Sequence, residues 1–354
     1  MKKPPSGSGE KEGRLTQAEL AKQLGVSQSS VSRALAGHPK HSAEFRDKVR
    51  QLAEQRAYRP DPVLSSLNAY RRTRRPISAG SSLVWLGSTA GPTENEYDLR
   101  LYHAAKKRAE ELGYGLDHLS LVEPGMTPRR IEKICNARGT PGLIIGPPPN
   151  PHTRIEINLG ALTAVTLGRS VDWPPVDLVS TDHCQTMELC YHRLVEKGYR
   201  RIAYTLTSSF NEKVVALWSS IFLGQQLRYP GLERIPPLLD DERHEPRQFL
   251  AWFKKWKPDA IITMGWRFGC LGVLKQLDIR APRDVAVALL SVLEDKEELG
   301  DFAGIREPSD SLATFAVSIL IGKVRNNERG VPPYRSVHLL PGTWVDGPSV
   351  DRRA

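Results

Sequence analysis

The chain has 354 residues, with 50 Lys or Arg against 40 Asp or Glu and a formal net charge of +10. That length exceeds the roughly 100–200 residues of one domain, so two or three units are expected. No run of about 18 apolar residues is present to cross a bilayer, and the start MKKPPSGSGEKEGR lacks the apolar core of a signal peptide, which points to a cytoplasmic protein without a membrane partner. Cys135, Cys184, Cys190 and Cys270 are scattered without a C-x-x-C pair. That spacing argues against a zinc site and a disulfide framework, and buried free thiols are expected.

The charge is concentrated at one end. Residues 1–76 hold 16 Lys or Arg against 7 Asp or Glu, which leaves the other 278 residues close to +1. A basic footprint confined to a small segment is what phosphate binding asks for, because each neutralised phosphate releases counterions. Residues 1–13 read as a basic tail. From Thr16 the pattern becomes helical, with a T-x-x-E capping box formed by Thr16 and Glu19, followed by Leu20, Ala21 and Leu24 on one face. Gly25 supplies a left-handed C-terminal position, Val26 buries after the turn and Ser27 caps a second helix. On that helix Val31, Ala34 and Leu35 form the inward stripe. Gln28, Ser29, Ser32 and Arg33 are left on outward or flanking faces, where their hydrogen-bonding groups suit base edges and phosphates. A short basic loop containing His38, Lys40 and His41 follows, with neither His at metal-ligand spacing from another ligand. Ser42 then caps a third helix whose Phe45, Val49, Leu52 and Ala53 close a small three-helix core over Tyr58.

Residues 59–76, RPDPVLSSLNAYRRTRRP, resemble the hinge of the LacI/GalR (lactose-repressor) family. The resemblance begins at Thr16 with Ala21, Gly25, Val26, Ser27, Val31, Ser32 and Arg33, and continues through Ser42, Arg46, Val49, Tyr58 and Pro60. It extends more loosely through Asp182–Ile202, Pro282–Val287 and Gly342–Ser349. It implies a helix-turn-helix head over 14–59, a hinge helix and linker over 60–76, and a core over 77–354 that binds an effector and dimerises. In such proteins the second helix enters the major groove of operator DNA, so Gln28, Ser29 and Arg33 would read bases while Thr16, Ser27, Ser32 and Ser42 hold phosphates. Lys40 would lie at the groove edge. A hinge leucine, matched by Leu67 with Leu64 as its neighbour, would wedge into the minor groove. The hinge departs from the family at Asp61, Leu64 and Ser65, where Asn, Ala and Arg are usual, and the Arg71, Arg72, Arg74, Arg75 cluster is an alternative source of minor-groove contacts.

Beyond residue 77 apolar runs alternate with amphipathic stretches, the pattern of a doubly wound α/β architecture. Strands are expected at Ser82–Leu86, Leu116–Leu121, Gly142–Ile145, Arg201–Leu206, Ala260–Met264 and Val285–Leu289. Helices are expected at Tyr97–Leu112, Pro128–Arg138, His183–Lys197, Glu212–Leu227, Pro246–Lys255 and Phe268–Leu277. The resemblance implies a periplasmic-binding-protein-like core of two doubly wound lobes, one built from 77–181 with 291–330 and the other from 182–290 with 331–354, crossed three times by the chain. Ligands of open α/β sheets sit beyond the carboxyl ends of strands, which selects Ser88, Thr89, Pro147, Pro148, Ser208, Asn211, Trp266, Arg267 and Ser291, with Asp182 and Lys213 nearby. Trp266 could stack on a sugar ring and Arg267 could bind its hydroxyls or a carboxylate. The family commonly has Asn-Asp at Trp266-Arg267, Arg near Lys213 and Asp at Ser291, so the pocket differs from its usual sugar site. There is no G-x-S-x-G elbow, Walker loop or post-strand G-x-G-x-x-G, and the acid pairs Asp240-Asp241 and Glu297-Glu298 read as solvated loops, so catalysis, a cofactor and a metal are not expected. The reading is a homodimeric, ligand-responsive regulator of transcription, a repressor of carbohydrate-utilisation genes; the alternative is a sugar-binding protein without a regulatory DNA role.

Overall fold

The computed structural model describes residues 16–35, 42–56, 58, 82–87, 96–240, 245–265, 269–292 and 302–351. The chain divides into two compact units, Met1–Arg74 and Arg75–Ala354. In the first, α1 (Gln17–Leu24), α2 (Gln28–Leu35) and α3 (Ala43–Gln55) enclose a core of Leu20, Ala21, Val31, Ala34, Val49 and Ala53. Leu24, Val26, Leu35, Phe45, Leu52 and Tyr58 pack around it. Each helix start is fixed locally. Thr16 Oγ1 accepts from Glu19 N–H at 3.3 Å while Thr16 N–H donates to the Glu19 carboxylate at 2.7 Å, and the equivalent cap bonds are Ser30 N–H to Ser27 Oγ at 3.2 Å and Phe45 N–H to Ser42 Oγ at 3.2 Å. Gly25 ends α1 with φ of 64°, the left-handed conformation that Gly adopts without a Cβ penalty.

The second unit is built on two six-stranded sheets. The first contains β1 (Ser82–Gly87), β2 (Gly115–Ser120), β3 (Gly142–Ile145), β5 (Thr163–Leu167), β7 (Asp177–Thr181) and β13 (Val337–Leu340), in the order β13-β7-β5-β3-β1-β2 and parallel throughout. Two short strands, β4 (Thr153–Arg154) and β6 (Val171–Trp173), pair beside it. The second sheet contains β8 (Ile202–Thr207), β9 (Leu238–Asp240), β10 (Ala260–Thr263), β11 (Ala286–Val292), β12 (Ala303–Arg306) and the antiparallel β14 (Thr343–Val345), in the order β14-β12-β11-β10-β8-β9.

Both sheets are covered on two faces, as parallel sheets require. Leu83 and Trp85 face α4 (Glu96–Glu111) and α11 (Ser309–Arg325), whereas their strand neighbours Val84 and Leu86 face α5 (Pro128–Arg138). In the second lobe Ile202, Tyr204 and Leu206 pack against α6 (His183–Glu196) and α8 (Leu217–Arg228), and Ala203 packs against α9 (Pro246–Trp256) and α10 (Leu271–Gln276). Trp85, Trp218 and Phe222 are at most 1% exposed, and burial of each such side chain contributes about 1.5–3 kcal/mol.

Several expectations change. Residues 291–292 and 303–306 belong to the second lobe, because β11 runs to Val292 and β12 pairs with it, and residues 337–340 belong to the first, because β13 pairs with β7. The crossings therefore fall at Thr181–His183, where the first division was expected, and at Arg306–Ser309 and Leu340–Thr343, later than the second and third expected divisions. The helix expected over Glu212–Leu227 is two helices, α7 (Ser208–Lys213) and α8, because Val215 and Ala216 take left-handed φ values of 56° and 52° that no α-helix contains. Asp240 is not solvated: it ends β9 at 9% exposure. Asp241, Glu297 and Glu298 lie outside the described residues. Cys135, Cys190 and Cys270 are buried free thiols and Cys184 is partly exposed. Among the described residues no helix is long and apolar enough to cross a membrane.

Candidate functional site

The head presents its polar row as the helical periodicity dictates. With Val31 and Ala34 fully buried, Ser27, Gln28 and Ser29 are exposed and Ser32 and Arg33 are half-buried at the edges of the same face. Ser27 Oγ lies 2.8 Å from Ser29 Oγ and 2.9 Å from Ser30 Oγ, so the start of α2 carries a hydroxyl cluster beside unpaired backbone N–H groups. Thr16 and Ser42 are also exposed, each at a helix N-terminus, where the positive dipole end favours an anion. Lys40, Leu64, Leu67 and the Arg71–Arg75 cluster lie outside the described residues, as do His38 and His41.

In the core the parallel strands of both lobes deliver side chains to their carboxyl ends. Asn211, on α7 after β8, is buried with Oδ1 lacking a hydrogen-bond partner, as is Oγ1 of Thr207 at the strand end. Lys213 places Nζ 5.7 Å from the centre of the Phe210 ring, and its backbone oxygen is 3.5 Å from Ser170 Oγ of the first lobe. Ser291, at the end of β11, is buried and bonded to Glu307. Burial pushes the Glu307 carboxyl up to about 7, and the Ser291 bond only partly opposes this. Glu307 occupies the crossing between β12 and α11. Tyr97, on the opposite lobe at the start of α4, has its phenol raised by burial and then by the charge of Glu307. These groups draw Ser291, Glu307 and Tyr97 together. Asp182 is used as the cap of α6, accepting from Gln185 N–H at 3.0 Å. Ser88, Thr89, Trp266 and Arg267 lie outside the described residues.

The strands β5 and β7, unassigned from sequence, add two residues that the sequence reading missed. Arg169 follows β5 and His183 follows β7. Burial, and after it the Arg169 guanidinium, hold His183 down to about 4, so its ring is neutral near pH 7. One ring nitrogen bonds the Thr181 backbone, Nδ1 has no partner, and the ring packs against Trp218 at 5.1 Å between centroids. The signal that could have found Arg169 is the run TAVTLGR, an apolar-centred strand ended by Gly and followed by a cation.

Residues 16–61 match the sequence profile described as bacterial regulatory proteins, lacI family. The chain is also 24% identical over 327 residues to the HTH-type transcriptional regulator PtxS of Pseudomonas plecoglossicida, covering 89% of this chain and 91% of that protein. The head therefore carries a lacI-family sequence, and the chain as a whole resembles transcriptional regulators of that type. Solved structures agree with this on the fold. A lac repressor dimer bound to operator and the anti-inducer ONPF has a TM-score of 0.56 at 18% identity, covering 95% of this chain and 99% of that one. A complex of the transcriptional regulator CelR with cellobiose has a TM-score of 0.55 at 16% identity, covering 95% of this chain and 100% of the other. The chain thus combines a head of lacI-family sequence with a core that shares the α/β fold of those structures.

Proposed function

We propose that the protein works as a homodimer that binds operator DNA through its head and takes a small hydroxylated effector in the cleft between the lobes of its core, in the compartment that holds the chromosome. The observation that carries the DNA reading is the polar row Gln28, Ser29, Ser32 and Arg33 on the outer face of a helix whose inner face is fully buried. Gln28, Ser29 and Arg33 read base edges in the major groove, and Thr16, Ser27, Ser32 and Ser42 anchor phosphates. Lys40, Leu64 and Leu67 are assigned to the groove edge and the minor-groove wedge by the family resemblance alone. Two heads related by a two-fold axis would read a pseudo-palindrome. The operator in the lac repressor complex and the cellobiose in the CelR complex support the pairing of DNA with a sugar-like effector. Asn211, Lys213 and Ser291 are assigned to the effector, and Ser88, Trp266 and Arg267, which lie outside the described residues, are assigned with them from their places in the sequence alone. Catalysis forms no part of this function.

Selection of bound duplexes from a random DNA pool tests it. The full chain should enrich a two-fold-symmetric sequence, and Arg33→Ala should weaken its capture. Failure to enrich any sequence removes the regulatory reading and leaves a ligand-binding protein. Thermal melting of the protein with and without a panel of sugars then tests the effector, since a ligand that binds only the folded state raises the transition.

A further inference from the structure

The cleft contains polar groups that the fold itself does not satisfy. Nε of Arg169, Nδ1 of His183 and Oδ1 of Asn211 are each sealed from solvent without a hydrogen-bond partner. An unsatisfied buried group costs about 1–3 kcal/mol, so three of them on facing walls mark a place built for something else. The two walls are adjacent: Ser170, next to Arg169, has its hydroxyl 3.5 Å from the Lys213 carbonyl oxygen, two residues from Asn211.

Among the described residues, the acids close to Arg169 in sequence are engaged with other groups. Asp172 pairs with His152 at 3.1 Å, Asp177 with Lys323 at 2.7 Å, and Asp182 caps α6. A second cation, Arg335, is held below its usual value by burial and then by the Arg169 charge, while its Nε donates to the Val176 carbonyl at 2.9 Å. A guanidinium in this setting pairs with an oxyanion, for which its planar donors are shaped. The neutral His183 ring and the Asn211 carbonyl offer acceptors, and hydroxyl groups are the donors that fit them.

We propose that Arg169, His183 and Asn211 form a subsite for a sugar-like molecule bearing an oxyanion, with Arg169 paired to the oxyanion and His183 and Asn211 accepting from neighbouring hydroxyls. This rests on the effector cleft proposed above and names the charge class of its occupant. The oxyanion is a carboxylate or a phosphate.

The test is calorimetric titration of the full-length protein with D-glucose, D-gluconate and D-glucose 6-phosphate, repeated on Arg169→Gln, Arg169→Lys and Asn211→Ala. At least one charged probe should bind at least about tenfold more tightly than glucose, and Arg169→Gln should remove that advantage while Arg169→Lys keeps part of it. Preference for gluconate or for the phosphate identifies which oxyanion is taken. The melting temperature of unliganded Arg169→Gln should stay within a degree or so of the parent, since Nε of Arg169 has no hydrogen-bond partner to lose. Glucose binding as tightly as either charged probe, with no effect of Arg169→Gln, overturns the oxyanion subsite and leaves the cleft as a neutral sugar site. If none of the three binds, the subsite is overturned, and the DNA selection still decides the regulatory reading by itself.

Discussion

Lys323 Nζ lies 2.7 Å from Asp177 Oδ2 and so fastens the long helix α11 to the first sheet at β7. The same carboxylate accepts from Ser336 N–H at 2.9 Å, directly before β13, so one buried acid orders a helix and an edge strand together. The side chains are 5% and 17% exposed, which leaves little water to solvate either charge alone.

Lys323→Met should therefore destabilise the core by about 3 kcal/mol, because Asp177 keeps a buried charge without its cation. The double variant Lys323→Met with Asp177→Asn should recover much of that loss. Urea unfolding of the full chain, followed by tryptophan fluorescence from the core, measures both. Equal stability of the single and double variants removes the buried-charge explanation.

Arg33→Ala should cost about 1–3 kcal/mol of operator affinity and relax preference at one base pair if the guanidinium reads a guanine. Affinities for a panel of single-base operator variants separate this from phosphate anchoring. A uniform drop across the panel leaves Arg33 as an anchor only.

Glu307→Gln should change the pH dependence of stability. The folded-state carboxyl at about 7 lies above its ordinary value of 4.5, so the folded chain holds a proton that the unfolded chain releases within that window. The resulting stability is full below pH 4.5 and is lost as pH rises through 7. Gln carries no charge at either end, so the variant should gain on the parent between about pH 5 and pH 8. Melting curves across that range check it, and parallel profiles for the two proteins would place the ionised carboxylate in solvent.

Gly25→Ala tests the turn between α1 and α2. The residue has φ of 64° and nothing within 4 Å of a built Cβ, so the penalty is purely one of backbone conformation, about 1–2 kcal/mol. Operator affinity should fall with the population of folded heads, while melting of the core stays unchanged. A loss well above that range would reveal a contact at Gly25.

The head was legible because its signals are local. Caps three residues apart, one left-handed Gly and a heptad-scale apolar stripe fix it without reference to the rest of the chain. The core was legible only where strands are rich in Val, Ile and Leu. β5 reads TAVTL and β7 reads DLVST, and their Thr163, Thr166, Ser180, Thr181 and Asp177 are buried despite being polar. Thr163 Oγ1 donates to the Glu328 carbonyl and Asp177 is paired with Lys323, long-range partners that no periodicity announces. Missing those strands hid Arg169. The helix Ser309–Arg325 escaped for the opposite reason: Ala313, Ala316, Val317, Leu320 and Ile321 are all buried, and its largely apolar sequence offers a weak amphipathic signature.

The strands β13 and β14 are joined by Pro341 and Gly342 alone, yet each forms the outer edge of a different sheet. A ribosome making this chain therefore completes neither lobe until residues 337–345 have emerged, even though most strands of both are already made. Until then each nascent lobe offers an unpaired strand edge, at β7 in one and β12 in the other. A nick before Ser336 would strip both lobes at once, so the two halves of the core share a single point of proteolytic failure.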